Sequence, residues 1–309
     1  MNSIKKLAEI QGIELTQSDE EILKLIGVSP DCKDLNEFLE KFAFPCSFLQ
    51  TREGLNTAVY NLCEELKDQE VIYAEIKFAP SKSCDKGMTQ EDAILAAIEG
   101  LNRSSLEANL VLCCMRGDSE EINRETVRLA KKYLGQGVCS IDLAGAEALF
   151  KTADYEEVFK YAKSLGVPFE IHAGEADGPS SVRDAIRFGA TRLGHGVRSI
   201  EDPSLVKEIA QKKIPLMICP TSNVQTCIVE DVKDLPIRTF LDAGIPITIN
   251  TDDPVIEGTD IKTEWNKVIA NCNLTKQEVR QIMLNSVDAA FCSDKIKEEL
   301  RTQISEAYK

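Results

Sequence analysis

Seven short, nearly continuous apolar runs recur along the chain. They lie at 71–78 (VIYAEIKF), 110–116 (LVLCCMR), 138–145 (VCSIDLAG), 168–174 (PFEIHAG), 191–195 (TRLGH), 215–220 (PLMICP) and 246–251 (PITINT). Runs of this length and texture predict strands buried on both faces, as in a parallel sheet. Their starts are 23 to 39 residues apart, room for a strand, a helix and two short loops. The intervals carry helical patterning. Residues 89–102 open with Thr89 and Asp92 in a capping-box spacing, then place Ile94, Leu95, Ile98 and Leu101 on one face. Segments 120–134, 154–165, 180–188 and 203–212 read the same way. Further on, Thr275 with Glu278 starts one C-terminal helix and Ser293 caps the last. With no linker, low-complexity tract or internal repeat, residues 1–309 are expected to form one domain.

Repeated βα units predict a parallel α/β fold. A doubly wound sheet would carry a Gly-rich phosphate loop after an early strand, and none is present. A (β/α)8 TIM-type barrel instead gathers chemistry at the C-terminal ends of several strands. That is the pattern here, although the count of strands is seven, one short.

The net charge of −15 and a pI near 4.8 argue against nucleic acid as a partner, because no Lys/Arg-rich footprint exists. No apolar stretch is long enough to span a membrane, and the first residues lack an apolar signal core. The eleven cysteines include no C-x-x-C pair, so a thiolate zinc site has no support. Cys113, Cys114, Cys139 and Cys219 sit inside strand-like runs and read as small core residues. Free thiols fit a reducing, cytoplasmic setting. Oligomeric state is not legible.

Three strand ends carry the candidate chemistry. Ile171-His172-Ala173-Gly174-Glu175 closes one run, Leu193-Gly194-His195-Gly196 another, and Asn250-Thr251-Asp252-Asp253-Pro254 a third. The chain has only two histidines, and both lie here. Gly174 lets the chain turn so that His172 and Glu175 can reach one pocket. Glycines on both sides of His195 imply a close approach. Imidazole and carboxylate suit a divalent metal, and a further carboxylate can move protons. Taken singly, each segment also has a plain structural reading as a turn. A fourth strand end, Asp142-Leu143-Ala144-Gly145-Ala146-Glu147, offers a backbone N–H at its glycine.

These motifs, with Cys113-Cys114-Met115-Arg116 and Ile218-Cys219-Pro220-Thr221-Ser222-Asn223, resemble the adenosine deaminase family of amidohydrolase-type metal-dependent barrels. Order and spacing match through most of the chain. The resemblance implies hydrolytic deamination of adenosine and 2′-deoxyadenosine at C6, giving inosine and ammonia, with one Zn2+. His172 and Asp252 would be metal ligands. Glu175 would deliver a proton to purine N1. His195 would contact the activated hydroxide, and Asp252 could take up the water's proton. Asp253 would bind N7 and the Gly145 N–H would bind N3.

The sequence departs from the family at one point. Family members begin with a strand carrying a His-x-His pair of zinc ligands, and no His precedes His172. The first barrel strand is therefore expected to be missing or incomplete, with weak zinc binding and little activity for the chain as it stands. Competing readings are a deaminase of adenine or of a modified adenosine nucleotide, and a catalytically silent purine-binding relative. Ser81–Asp85 and the early helices could cover a pocket at the barrel mouth.

Overall fold

The computed structural model describes residues 2–308. Seven parallel strands form in chain order: β1 (Ala74–Phe78), β2 (Ala108–Met115), β3 (Val138–Ala144), β4 (Ile171–Ala173), β5 (Leu193–His195), β6 (Leu216–Ile218) and β7 (Ile247–Ile249). Each pairs with the next. β1–β2–β3 and β4–β5–β6–β7 are continuous ladders, and the bridge Ile141↔Phe169 joins the two groups. Every expected strand is found. β1 and β7, between which an eighth strand would stand, make no ladder with one another among the described residues.

The later strands are shorter than their apolar runs for a reason legible in the chain. Pro168, Pro215 and Pro246 precede them and have no N–H to donate. They serve only as acceptors, from the amides of Ile141 (3.1 Å), Leu193 (2.9 Å) and Leu216 (3.0 Å). At the other end, Pro220 and Pro254 open short helices, Pro220–Gln225 and Pro254–Glu257, and so end the extended backbone early.

The helices between strands lie within two residues of expectation, at Gln90–Arg103, Glu120–Tyr133, Glu156–Leu165, Pro179–Phe188 and Pro203–Lys212. Thr89 and Thr275 make complete capping boxes with Asp92 and Glu278, and Ser293 caps Asp294–Ala307. One apolar cluster runs through every strand, including Ile76, Leu112, Ile141, Ile171, Leu193, Leu216 and Ile247. All eleven cysteines are free, and the four expected in the core are buried. No helix among the described residues is long and apolar enough to cross a membrane.

The chain before β1 is helical. Its segment 35–42 packs Leu35 and Phe38 on Ile256, with Ala176 alongside. Because Ile256 and Ala176 follow β7 and β4, this segment lies across the C-terminal ends of the strands. Gln50 fastens the Pro80–Ser83 turn to it, donating to the Lys82 carbonyl (2.7 Å) and accepting from Asp85 N–H (3.0 Å).

Candidate active site

β4, β5 and β7 deliver their terminal side chains to one place. His195 Nε2 lies 3.6 Å from Glu175 Oε2 and 3.7 Å from Asp252 Oδ2. The His172 and His195 rings are 5.1 Å apart, and His172, His195 and Asp252 bring one potential ligand atom each within 4.8 Å of the others. The three strand ends singled out in the sequence therefore converge.

Backbone geometry makes this possible. His195 (φ 56°) and Asp252 (φ 70°) occupy the left-handed region, which few non-glycine residues adopt. Such strain clusters at working sites. Gly194 explains one of the glycines flanking His195. A Cβ there would meet the His172 ring at 3.0 Å, so the space is used by the neighbouring histidine. Gly174 (φ 74°) turns the chain after β4 and brings Glu175 inward.

His172 is held from behind. Its Nδ1 lies 2.7 Å from Asp142 Oδ2, in close charge contact though not in line for a hydrogen bond. Asp142 lies near the end of β3, is fully buried, and also receives Lys77 Nζ from β1 at 2.9 Å. Burial would raise this carboxyl, but the contacts with the His172 ring and the Lys77 ammonium hold it below the usual range. A carboxylate behind an imidazole leaves Nε2 as the free lone pair, the arrangement seen at metal-binding histidines.

His195 is buried, and desolvation holds its imidazole down to about 4 against the pull of Asp252. It is neutral near pH 7. Asn223 donates its amide to Nδ1 at 3.0 Å, which puts the ring proton on Nε2, the nitrogen facing Glu175 and Asp252. Glu175 is shifted the other way. Burial first, then the charges of Asp252, Glu147 and Asp253, push its carboxyl well above the normal range, against Arg116. The protonated form of Glu175 is thereby favoured. Asp253 rises similarly, through desolvation and Asp252. Gly145 (φ 103°) follows β3 beside Arg116.

Several residues at the site had not been assigned roles from sequence. Asp142, Glu147 and Asn223 lie inside the motifs, but nothing in one sequence separates a buried acceptor from a turn former. Lys77 and Glu170 gave a clearer signal. Each is a charge inside an apolar run, and such residues are rarely buried unless paired. Here Lys77 bridges Asp142 and Glu170 (2.6 Å to Glu170), while Arg192 joins Glu170 to Glu75. Glu257, also missed, is buried with one carboxyl oxygen unpartnered. Desolvation and the nearby Asp252 and Asp253 push it up to about 10.

A sequence model of the adenosine deaminase family matches residues 2–307. An adenosine deaminase of Haemophilus ducreyi is 45% identical, covering 97% of this chain and 90% of the relative. One of Enterococcus faecalis is 35% identical, covering 99% and 92%. Among solved structures, an adenine deaminase from Arthrobacter aurescens superposes with TM-score 0.90 at 25% identity, covering 99% of this chain and 94% of that one. An amidohydrolase from Burkholderia ambifaria with bound zinc superposes with TM-score 0.88 at 21% identity, covering 99% of this chain and 86% of that one, and supports the fold. Strand order, converging side chains and full-length matches agree, and the chain belongs to the adenosine deaminase family.

Proposed function

We propose that this chain deaminates adenosine and 2′-deoxyadenosine by hydrolysis at C6, releasing inosine or deoxyinosine and ammonia. The observation that carries the reading is the meeting of a carboxyl whose protonated form is favoured, a neutral imidazole and a second carboxyl group: His195 Nε2 lies within 3.7 Å of both Glu175 and Asp252, beside His172.

The donor set fits a divalent metal, and zinc in particular. One imidazole, His172, is backed by a carboxylate, and the Asp252 carboxylate lies within 4.8 Å of it. His172 and Asp252 would hold the ion, and when bound it supplies Lewis acidity that makes water nucleophilic near neutral pH. With two firm donors, affinity is expected to fall below that of a three-ligand site, so zinc in excess belongs in any assay.

The residues divide the remaining work. Glu175 donates its proton to purine N1, which draws electrons from C6 and prepares it for attack. His195 already carries its proton on Nε2, so it stabilises by donating a hydrogen bond to the oxygen arriving at C6. That leaves Asp252 as acceptor of the proton lost by the attacking water. Asp253, whose carboxyl is raised by burial and by Asp252, would bind N7, and the Gly145 N–H would bind N3. The amino group departs as ammonia with the proton that Asp252 took up, and the C6 hydroxyl proton returns to Glu175 as the carbonyl forms.

Similarity favours the nucleoside over other purines. Relatives named adenosine deaminase reach 45% identity, whereas the adenine deaminase neighbour stands at 25%. A panel of adenosine, 2′-deoxyadenosine, adenine and N6-methyl-AMP tests this directly. Adenosine should give the highest kcat/KM. Faster turnover of the base or of the nucleotide overturns the assignment, and purine binding without ammonia release makes the chain a silent relative.

A further inference from the structure

Glu147 stands outside the reacting groups, yet its carboxylate organises the loop that carries one of them. It is 1% exposed and has no ion-pair partner among the described residues. Four consecutive backbone amides point at it: Gly174 at 2.8 Å on Oε1, then Glu175 at 3.0 Å, Ala176 at 2.7 Å and Asp177 at 2.9 Å on Oε2. Ser181 Oγ adds a fifth donor at 2.5 Å. Successive amides curled around an anion form a nest, here filled by the protein's own side chain.

The nest depends on the positive φ of Gly174, where a Cβ would also run into Val182 at 2.6 Å. It precedes the helix Pro179–Phe188 and is distinct from that helix's N-terminus. Outer contacts brace it. Arg198 donates to the carbonyls of Ala176 (2.9 Å) and Gly174 (3.0 Å). Ser181 Oγ meets Thr152 Oγ1 at 2.6 Å. Arg116 then connects Thr152 to the His172 carbonyl, at 2.9 and 2.7 Å. Glu175 is thus clamped through its own amide and both neighbours', three residues after His172.

We infer that Glu147 is the positioning residue for Glu175: it fixes the turn from which the proton donor reaches purine N1. This rests on the reading of Glu175 as that donor. The buried negative charge of Glu147 also favours the protonated form of Glu175, in the same direction as burial.

The test compares Glu147→Gln, Glu147→Asp and Ser181→Ala with the parent chain, all with excess zinc. Glu147→Gln keeps the size but turns an NH2 toward N–H groups. Amides 174–177 should exchange hydrogen roughly ten-fold faster or more, with those of β1–β3 unchanged. The kcat for adenosine should fall roughly 10- to 100-fold, since small misplacements of reacting groups cost that much. Inosine affinity and zinc content should hold steady. Glu147→Asp should fall between parent and Gln, and Ser181→Ala should shift mildly in the same direction.

Unchanged exchange at 174–177 overturns the inference. So does faster exchange with parental kcat, which would mean that the nest does not position Glu175. Faster exchange throughout, with zinc and inosine binding lost together, would mark Glu147 as structural only. A parent chain that does not deaminate adenosine defeats the reading of Glu175, while the exchange measurement still decides whether Glu147 builds the loop.

Discussion

At the scale of single residues, the site sorts its titrating groups by environment. Burial keeps protons on Glu175 and off the His195 imidazole. Glu175→Gln should therefore lower kcat by roughly 10²- to 10⁴-fold, with inosine affinity little changed, as expected for loss of a general acid. His195 makes a second prediction. Its native value of about 4 lies below the ordinary 6.5, so below pH 6.5 the unfolded chain takes up a proton that the folded chain refuses. Stability is full above pH 6.5 and falls as pH drops toward 4, by about 3 kcal/mol from this group. Denaturant unfolding of the parent and of His195→Asn across that window checks it, and the variant should show the shallower decline. Gly194→Ala makes a third. Its methyl would press on the His172 ring, so zinc affinity should fall while melting temperature changes little. A variant that binds zinc as the parent does would show that the ring has room to yield.

His172, Glu175, His195, Asp252 and Asp253 were legible in the sequence because they fall where apolar runs end. Gly194 was legible as a close approach, though not whose. Asn223 was not, since one amide near a strand end has no distinguishing pattern until its partner, His195, is placed beside it.

Among elements, the strand and helix plan follows from periodicity and end signals. Thr89, Thr275 and Ser293 cap the helices that their spacing announces. What periodicity could not reveal is how the loops are tied together. Two buried glutamates do this. Glu147 holds the loop after β4. Glu264 is fully buried on the helix Ile261–Cys272, and receives the Thr221 amide at 2.8 Å and the hydroxyls of Thr221 and Thr259. Glu264 therefore joins the loops after β6 and β7, next to Asn223 in sequence and to the Asp252 segment. Glu264→Gln should cost about 1–3 kcal/mol, the range for a buried acceptor left mismatched. Chemical denaturation measures it, and a variant as stable as the parent would remove Glu264 from this role. A pattern-based reading finds no such residues, because a glutamate in a helix looks solvent-facing until the fold brings three donors to it.

For the molecule as a whole, seven parallel strands surround a charged centre. Lys77 on β1 reaches Asp142 beyond β2 and Glu170 just before β4, and Arg192 carries the network back to Glu75 on β1. Since β1 is bonded only to β2 among the described residues, these ion pairs bind it to the far side of the wall. Lys77→Met would leave the buried Asp142 without its ammonium partner and Glu170 with Arg192 alone. A loss of about 3–5 kcal/mol is expected, together with weaker zinc binding through a less firmly held Asp142–His172 pair. The fold class was legible from the alternation of runs, and the charges within those runs hinted at a polar lumen. Which charges pair across it depends on strand order and tilt, which no single run contains.

The most direct test of the account is ammonia release from adenosine during a zinc titration, followed with the absorbance change to inosine. The account predicts turnover that rises with zinc, disappears with a chelator, and is abolished in Asp252→Asn. Turnover that persists after metal removal, or saturating zinc with no ammonia released, would contradict it.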